Sequence, residues 1–244
     1  MLAKLKLRLD SQAISFKKSS NLQGVLFEHI DHDYADELHQ QRVHPYSQHL
    51  TIENGEPVWS VNVLDDKAYD KIIGPLLDSG FDSFTLKDES KDKINIISKV
   101  LFTDSRTELL KRFNDNKAEH QISIHFKTPT AFKQNGLYYI LPDLRLIYQS
   151  LMMRYTDTSQ HVDMTDEDMI NDMLSNSFIS KHDIKSRGCP MQGTVIPGFI
   201  GRVTIGIKRN ETIARYIRML FEFGEFSGIG IKTSMGMGAM KIGD

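Results

Sequence analysis

Gly228-Ile-Gly-Ile-Lys-Thr-Ser-Met-Gly-Met-Gly-Ala-Met240 reads as Gly-apolar-Gly, five residues, then Gly-apolar-Gly. Gly228, Gly230, Gly236 and Gly238 place no bulky side chain over the backbone, allow positive φ and let N–H groups approach a ligand. Successive N–H groups in such turns form anion-binding concavities. Lys232, Thr233 and Ser234 lie between the glycine pairs and add donors suited to phosphate. The same glycines also suit a tight hairpin between two buried strands. Two other glycine loops are excluded. A Walker loop needs Gly, four residues and then Gly-Lys-Ser/Thr opening a helix, whereas Lys232 follows Ile231. A dinucleotide fingerprint needs a third Gly where Thr233 stands, with a strand before it and a helix after it, the reverse of the pattern here.

Before the loop, Ile213, Ile217, Leu220 and Phe221 mark the inward face of a helix over 212–223. Residues 184–192 and 199–208 read as paired strands, and 165–174 as an acidic helix inserted before them. A strand over 121–127 precedes Thr128-Pro-Thr-Ala-Phe-Lys133, and a helix runs through Leu146, Leu151 and Met152. In the other half, Ala3, Leu5, Leu7 and Leu9 alternate with Lys4, Lys6 and Arg8, the pattern of a half-buried strand. Ser20-Asn-Leu-Gln23 is a capping-box pattern, with Leu22, Val25, Leu26 and Ile30 on one helical face. Asp33 is the expected cap of a second short helix. Asn54-Gly55 between two apolar runs signals a hairpin. A helix follows through Tyr69, Ile72, Ile73, Leu76 and Leu77, bent or bounded at Pro75. Residues 81–86 then read as the closing strand and 94–102 as an extension of the sheet. Each half thus has β-α-β-β-α-β order. The expected fold is α+β, two tandem ferredoxin-like (RRM-like) domains. Residues 1–116 form the N-terminal one; residues 117–244 form the C-terminal one, which carries the Gly-rich loop and a basic hairpin.

Composition is that of an ordinary globular chain, 40% hydrophobic and 25% charged. No apolar run approaches the roughly 18 residues of a membrane span. The first ten residues lack a signal-peptide pattern, and the single Cys189 excludes an internal disulfide and a thiolate zinc cluster. A cytoplasmic location is expected. The net charge of −2 argues against indiscriminate nucleic-acid binding. The charges are segregated, however: residues 163–172 are acidic, while Lys181, Lys185, Arg187, Arg202 and Lys208 follow. Ferredoxin-like sheets commonly bind RNA through exposed aromatics, but that aromatic-rich signature is not found here.

Gly-apolar-Gly-x5-Gly-apolar-Gly in this position resembles the glycine-rich loop of the repeat-associated RNA-binding (RAMP) superfamily. Within it, the chain is most similar to the endoribonucleases that cut CRISPR precursor RNA, the "Cas six" type. Pro129-Thr-Ala-Phe132, then Pro142 and a helix, also matches the RAMP pattern, and Leu22-Gln23-Gly24 the family's first-helix opening. The resemblance implies metal-independent cleavage of CRISPR repeat RNA by the ribose 2′-OH, leaving a 2′,3′-cyclic phosphate and a 5′-OH. It implies no cofactor and no metal. Repeat RNA is the implied partner, and subunits of a CRISPR effector complex or a second copy of the chain are further ones. Phosphates of a short RNA stem would meet the glycine loop, Lys185, Arg187, Arg202 and Lys208.

Of nine histidines, His29 and His32 lack a supporting ligand set. His32-Asp33 and His182-Asp183 lack the further ligands of a metal phosphohydrolase. His120, His125 and His161 have no companions in the sequence. The remaining three lie in residues 37–49. Leu38-His39 matches the family's catalytic histidine, Arg42 the nearby basic residue, and Tyr46-Ser47 the turn that follows. Some family members carry a catalytic tyrosine where this chain has Phe27, which has no proton to give. The resemblance therefore leaves His39 to act with His44 or Tyr46, or to rely on in-line positioning. Two other readings share the fold: a non-catalytic RAMP subunit that coats guide RNA, and a small-molecule regulator without RNA affinity.

Overall fold

The computed structural model describes residues 1–10, 14, 16–86, 93–159, 162–191 and 193–243. His161 and Gln192, the latter the end of an expected strand, lie outside them. The first half runs β1 (Leu2–Leu9), α1 (Ser19–His29), α2 (His32–Gln40), β2 (Tyr46–Glu53) and β3 (Glu56–Val63). It continues through α3 (Asp66–Ala68), a π turn over Tyr69–Ile73, α4 (Gly74–Leu77), β4 (Ser83–Thr85), β5 (Lys93–Asp104) and α5 (Arg106–Asp115). The second half runs β6 (Gln121–Thr130), β7 (Phe132–Gln134), β8 (Leu137–Tyr139), α6 (Leu144–Asp157), α7 (Glu167–Asn176) and β9 (Ser177–Ser186). It ends with β10 (Cys189–Met191), β11 (Thr194–Ile196), β12 (Phe199–Ile207), α8 (Glu211–Ser227) and β13 (Met240–Ile242).

The first sheet has the order β2-β3-β1-β5-β4 and the second β13-β6-β12-β9, with antiparallel pairing throughout. This is an α+β fold consistent with ferredoxin-like architecture. The expected alternation in β1 holds: Ala3, Leu5, Leu7 and Leu9 are buried, while Lys4 and Lys6 are half-buried and Arg8 exposed. Asn54 (φ 51°) and Gly55 (φ 84°) form the β2–β3 turn, as the dipeptide predicts. Four expectations are corrected. The strand beside β1 is β5, paired from Leu2↔Asp104 to Leu9↔Ile96, and not the 81–86 segment. That segment has only three strand residues at the sheet edge; Phe81, Phe84 and Leu86 are buried as the end of the first core. The capping box at Ser20 does not form, because a 3-10 turn over Phe16–Lys18 leads into α1 with Lys18, two residues earlier, at the N-cap position. Asp31, not Asp33, caps α2, its carboxylate accepting from the Tyr34 amide at 3.1 Å. The glycine-rich segment is not a strand hairpin either: it links α8 to β13 through a 3-10 turn at Thr233–Met235.

Two cores result. The first gathers β1, α1, α2 and β3 side chains; the second gathers α6, α8 and the second sheet and also takes in Leu2, Leu64 and Leu109. Between them, Ser47 Oγ donates to the Phe226 carbonyl at 2.6 Å, and Lys4 Nζ stands 5.0 Å from the Phe226 ring centroid. Arg112 of α5 pairs with Asp104 at 2.6 Å and with Glu222 of α8 at 2.8 Å.

The four loop glycines all have positive φ. A Cβ at Gly230 would lie 2.3 Å from the Ala131 carbonyl oxygen, and one at Gly238 would lie 2.0 Å from that of Ile229. Gly230→Ala and Gly238→Ala are each expected to lower stability by more than about 2 kcal/mol. Gly24→Ala, mid-α1 with nothing within 4 Å of the new Cβ, is expected to raise it by about 0.5–1 kcal/mol. Urea unfolding of the three variants checks both signs.

His49 on β2 is buried in the seam between the halves. Burial, then Lys4, Lys127 and Lys6, pushes its pKa down to about 3. Folded protein therefore holds His49 neutral while the unfolded chain protonates it below about 6.5. The unfolded state binds more protons in that window, so this contribution is present above pH 6.5 and is lost as pH falls toward 3. Urea midpoints measured from pH 7 to pH 4 should fall more steeply for wild type than for His49→Gln; equal slopes would refute the assignment.

Candidate active site

The last turn of α2 delivers His39, exposed, where its ring stacks on Phe27 of α1 with centroids 4.9 Å apart. Phe27 thus fixes the plane of the imidazole even though it carries no proton. Five residues on, His44 stacks on Tyr46 at 5.4 Å. Tyr46 is fully buried, and its hydroxyl accepts from Gln23 Nε2 at 2.9 Å. Burial pushes the phenol up to about 12, against the lowering effect of Gln23 and Ser234. Tyr46 is therefore a platform beneath His44 rather than a group facing the pocket. His44 is held below the ordinary histidine range, by burial first and then by Arg154, His39 and Lys232. It is neutral at pH 7, and its buried Nδ1 has no partner among the described residues.

Opposite these rings lies the glycine loop. Together they enclose an open pocket of about 320 Å³, with His39, Arg42 and His44 on one side and Arg154, Lys232, Thr233 and Ser234 on the other. The glycine amides are mostly turned inward. Gly228 donates to Gly224 O, Gly230 to Ser150 Oγ and Gly238 to Pro129 O, at 2.8–3.0 Å. The contribution of these glycines is conformational. Lys232 adopts the left-handed region (φ 56°, ψ 33°), and the 3-10 turn begins immediately after it. The first amides of such a turn have no partner within it. Among the described residues, those of Lys232, Thr233 and Ser234 make no main-chain hydrogen bond, and all three residues line the pocket.

Arg154 was not singled out by the sequence reading. It is 7% exposed, and its guanidinium donates to Gly230 O at 2.9 Å while Nε has no partner among the described residues. Burial lowers its pKa to about 10, which leaves it charged at neutral pH. A positive charge on the buried side of α6, among Leu151, Met152 and Tyr155, is costly without an anion. An arginine on an otherwise apolar helix face was the available signal.

The other basic positions lie on the second sheet. Arg202 of β12 stands opposite Asp183 and His125, and with Lys181 and Thr204 lines a second pocket of about 330 Å³. Lys185 is opposite Ile200, and the Arg187 amide donates to Gly198 O at 2.7 Å, both toward the end of β9 that adjoins β10 and β11. Lys208 is separate from them: it follows the other end of β12, roughly 25 Å along the strand, with Nζ on the Ser175 carbonyl at 2.6 Å. His120 accompanies it, Nδ1 lying 3.1 Å from Lys208 O. His29 is occupied locally, with Nδ1 2.8 Å from Val25 O. His182 and Asp183, adjacent on β9, both line that second pocket, but among the described residues no group of three or more His, Cys, Asp or Glu side chains is placed to hold a metal ion.

A family model described as "CRISPR-associated endoribonuclease Cas6" matches residues 124–240. A CRISPR-associated endoribonuclease Cas6 of Streptococcus thermophilus is 35% identical over 222 residues, 90% of this chain and 88% of that protein. One of Mycobacterium tuberculosis is 35% identical over 225 residues, 91% of this chain and 70% of that protein. Among solved structures, a Cas6 product complex superposes with a TM-score of 0.82 at 21% identity, covering 100% of this chain and 99% of the other. Thermus thermophilus Cas6 gives 0.75 at 19%, covering 99% and 98%. On the strength of the sequence relatives, with the fold in agreement, the chain belongs to the CRISPR-associated endoribonuclease Cas6 family of the RAMP superfamily.

Proposed function

We propose that this chain cuts CRISPR repeat RNA within the precursor transcript to give guide RNAs, without a metal ion. The observation that carries the reading is the shared pocket, where two imidazoles from the first half face a buried guanidinium and open amides from the second. In this reading the chain works as two tandem ferredoxin-like domains, 1–116 and 117–244, with the pocket at their junction. It acts in the cytoplasm on repeat RNA; effector-complex subunits and a second copy of the chain are further partners of the same proposal.

The chemistry follows from the groups present. His44, neutral because it is buried among cations, takes the proton of the ribose 2′-OH. The 2′-oxygen forms a bond to the adjacent phosphorus while the bond to the 5′-oxygen breaks. His39 delivers a proton to that leaving oxygen, so the products are a 2′,3′-cyclic phosphate and a 5′-OH. Charge on the phosphorane is offset by Arg154, by Arg42 at the rim and by the amides of Lys232, Thr233 and Ser234. Tyr46 supports the His44 ring. Lys185, Arg187 and Arg202 position an RNA stem through its phosphates. Lys208, at the far end of β12, reaches only a longer RNA.

Repeat RNA incubated with the protein in excess chelator is expected to be cut, and a substrate with 2′-deoxy at the scissile nucleotide to be bound but intact. His39→Ala should lose at least about 10²-fold in single-turnover rate while retaining affinity in a gel shift. Full activity in that variant would remove His39 from the mechanism, and binding without any wild-type cleavage would point to a non-catalytic RAMP subunit.

The division of proton roles has its own test. A bridging 5′-sulfur at the scissile bond leaves as thiolate and needs no acid. That substrate should restore His39→Ala to near the wild-type rate and leave His44→Ala slow. Rescue of His44→Ala instead would reverse the two assignments.

A further inference from the structure

A second recess adjoins the candidate active site. It has a volume of about 430 Å³ and shares Arg42 and Val43 with that site. Its walls come from α2, from the β3–α3 turn and from the C-terminal end of α6. We propose that this recess is a subsite for the base of the nucleotide on the 3′ side of the scissile phosphate, selective for a base that carries an exocyclic amine. The inference rests on the endoribonuclease reading above and extends it to substrate selection.

Position gives the polarity. Cys189, Met191 and Ile196, beyond the basic end of β9, pack against Met235 and Met237 of the glycine loop. The candidate active site lies on the Lys232–Ser234 side of that loop, and the recess lies beyond Arg42 on the side away from the basic strands. RNA that enters over Lys185 and Arg187 and places its phosphate beside His39 leaves past Arg42, and in the proposed division of roles His39, on α2 with Tyr34 and Glu37 of the recess, serves the leaving 5′-oxygen, so the nucleotide attached there is the one presented to the recess.

Chemistry gives the ligand. Glu37, Asp65 and Asp157 line the recess against two cations, Arg42 and Lys67. Lys67 is already paired with Glu37 at 2.5–2.7 Å. The balance is negative and repels a phosphate, whereas a neutral base suffers no such repulsion. The Tyr34 hydroxyl and Gln41 Oε1, both on lining residues, are buried and have no hydrogen-bond partner among the described residues. Tyr34 as a whole is 2% exposed. Buried polar groups are normally satisfied, and an orphan pair beside a cavity points to a ligand that completes them. Gln41 Oε1 and the Asp157 carboxylate only accept. Adenine N6 and cytosine N4 each present two N–H donors to such acceptors, while uracil offers O4 in that place. The Tyr34 hydroxyl can donate to the ring nitrogen beside the amine. Val43 and Pro45 supply apolar surface for the face of the ring.

The test uses repeat RNAs that differ only in the nucleotide 3′ to the scissile bond: adenosine against purine riboside, and cytidine against its 4-deamino analogue. Single-turnover cleavage is expected to be about tenfold faster with the amine, the effect of one hydrogen bond to a charged or buried acceptor. Gln41→Leu and Asp157→Asn should each bring that ratio to within about twofold. Asp157 is exposed, so its replacement tests the subsite without disturbing a core. A separate titration uses 5′-hydroxyl downstream-product oligonucleotides against His39→Ala protein and should rank the bases in the same order by affinity. Efficient cleavage with no dependence on the amine overturns the subsite and leaves the endoribonuclease reading standing. Absence of cleavage of every substrate overturns both.

Discussion

One buried amide holds the candidate site together. Gln48 of β2 is 1% exposed, and its Nε2 donates to Ser19 O at 2.7 Å and to Ser234 O at 3.2 Å. Its Oε1 accepts from Trp59 Nε1 at 2.9 Å. One side chain thus ties the start of α1, the glycine loop of the other half and the core tryptophan of β3. Each partner is itself buried or main chain, so losing the amide would orphan three groups at once, and buried orphans are costly. The register of β2 is in turn fixed by its pairing with β3 from Tyr46↔Val63 to Glu53↔Glu56. That places Gln48 on the loop, Tyr46 under His44 and Ser47 on the Phe226 carbonyl.

The glycine loop shows how conformation and chemistry divide along a segment. Gly230 and Gly238 are required where a Cβ would strike a carbonyl oxygen, and Gly236 where it would strike Ser19 Cβ at 2.2 Å. These close approaches pull the loop against Ala131 and α1. Neighbouring loop amides are engaged internally: Ile229 donates to Gly238 O, and Ile231 to Ala131 O. The Lys232–Ser234 stretch, turned over by the left-handed Lys232, lines the pocket. The glycines fix the course of the chain that brings Lys232, Thr233 and Ser234 to the pocket.

Local signals in the sequence carried the elements whose causes are local. Alternation of apolar residues set β1, the Asn54-Gly55 turn set the first hairpin, and periodicity set α8. The Leu38-His39 context and the terminal glycines led to one pocket although 189 residues separate His39 from Gly228. What was not legible depends on long-range partners. The claim of β5 on the place beside β1 depends on pairing along eight register positions, not on its own composition. Arg154 and Gln48 look like ordinary polar residues until folding buries them against the loop. Phe27 looks like a missing tyrosine in the sequence, and only the 4.9 Å stack on His39 shows what the ring does instead.

The electrostatics of the pocket make His44 responsive to substrate. Burial is the first cause of its lowered pKa, but Arg154, His39 and Lys232 each push in the same direction. Arg154 has no carboxylate in contact among the described residues, and its own pKa is lowered by the same burial. An anion placed among these groups cancels their repulsion of an imidazolium and gives Arg154 the partner it lacks. The affinity of His44 for a proton therefore rises when a phosphate enters and falls when the pocket is empty. In the proposed mechanism, a ribose hydroxyl beside that phosphate therefore meets a base that the phosphate itself has strengthened. Net charge along the chain is nearly balanced, at −2, so in the proposed mechanism the preference for an anion comes from the local setting of Arg154 and the Lys232–Ser234 stretch, not from the surface as a whole.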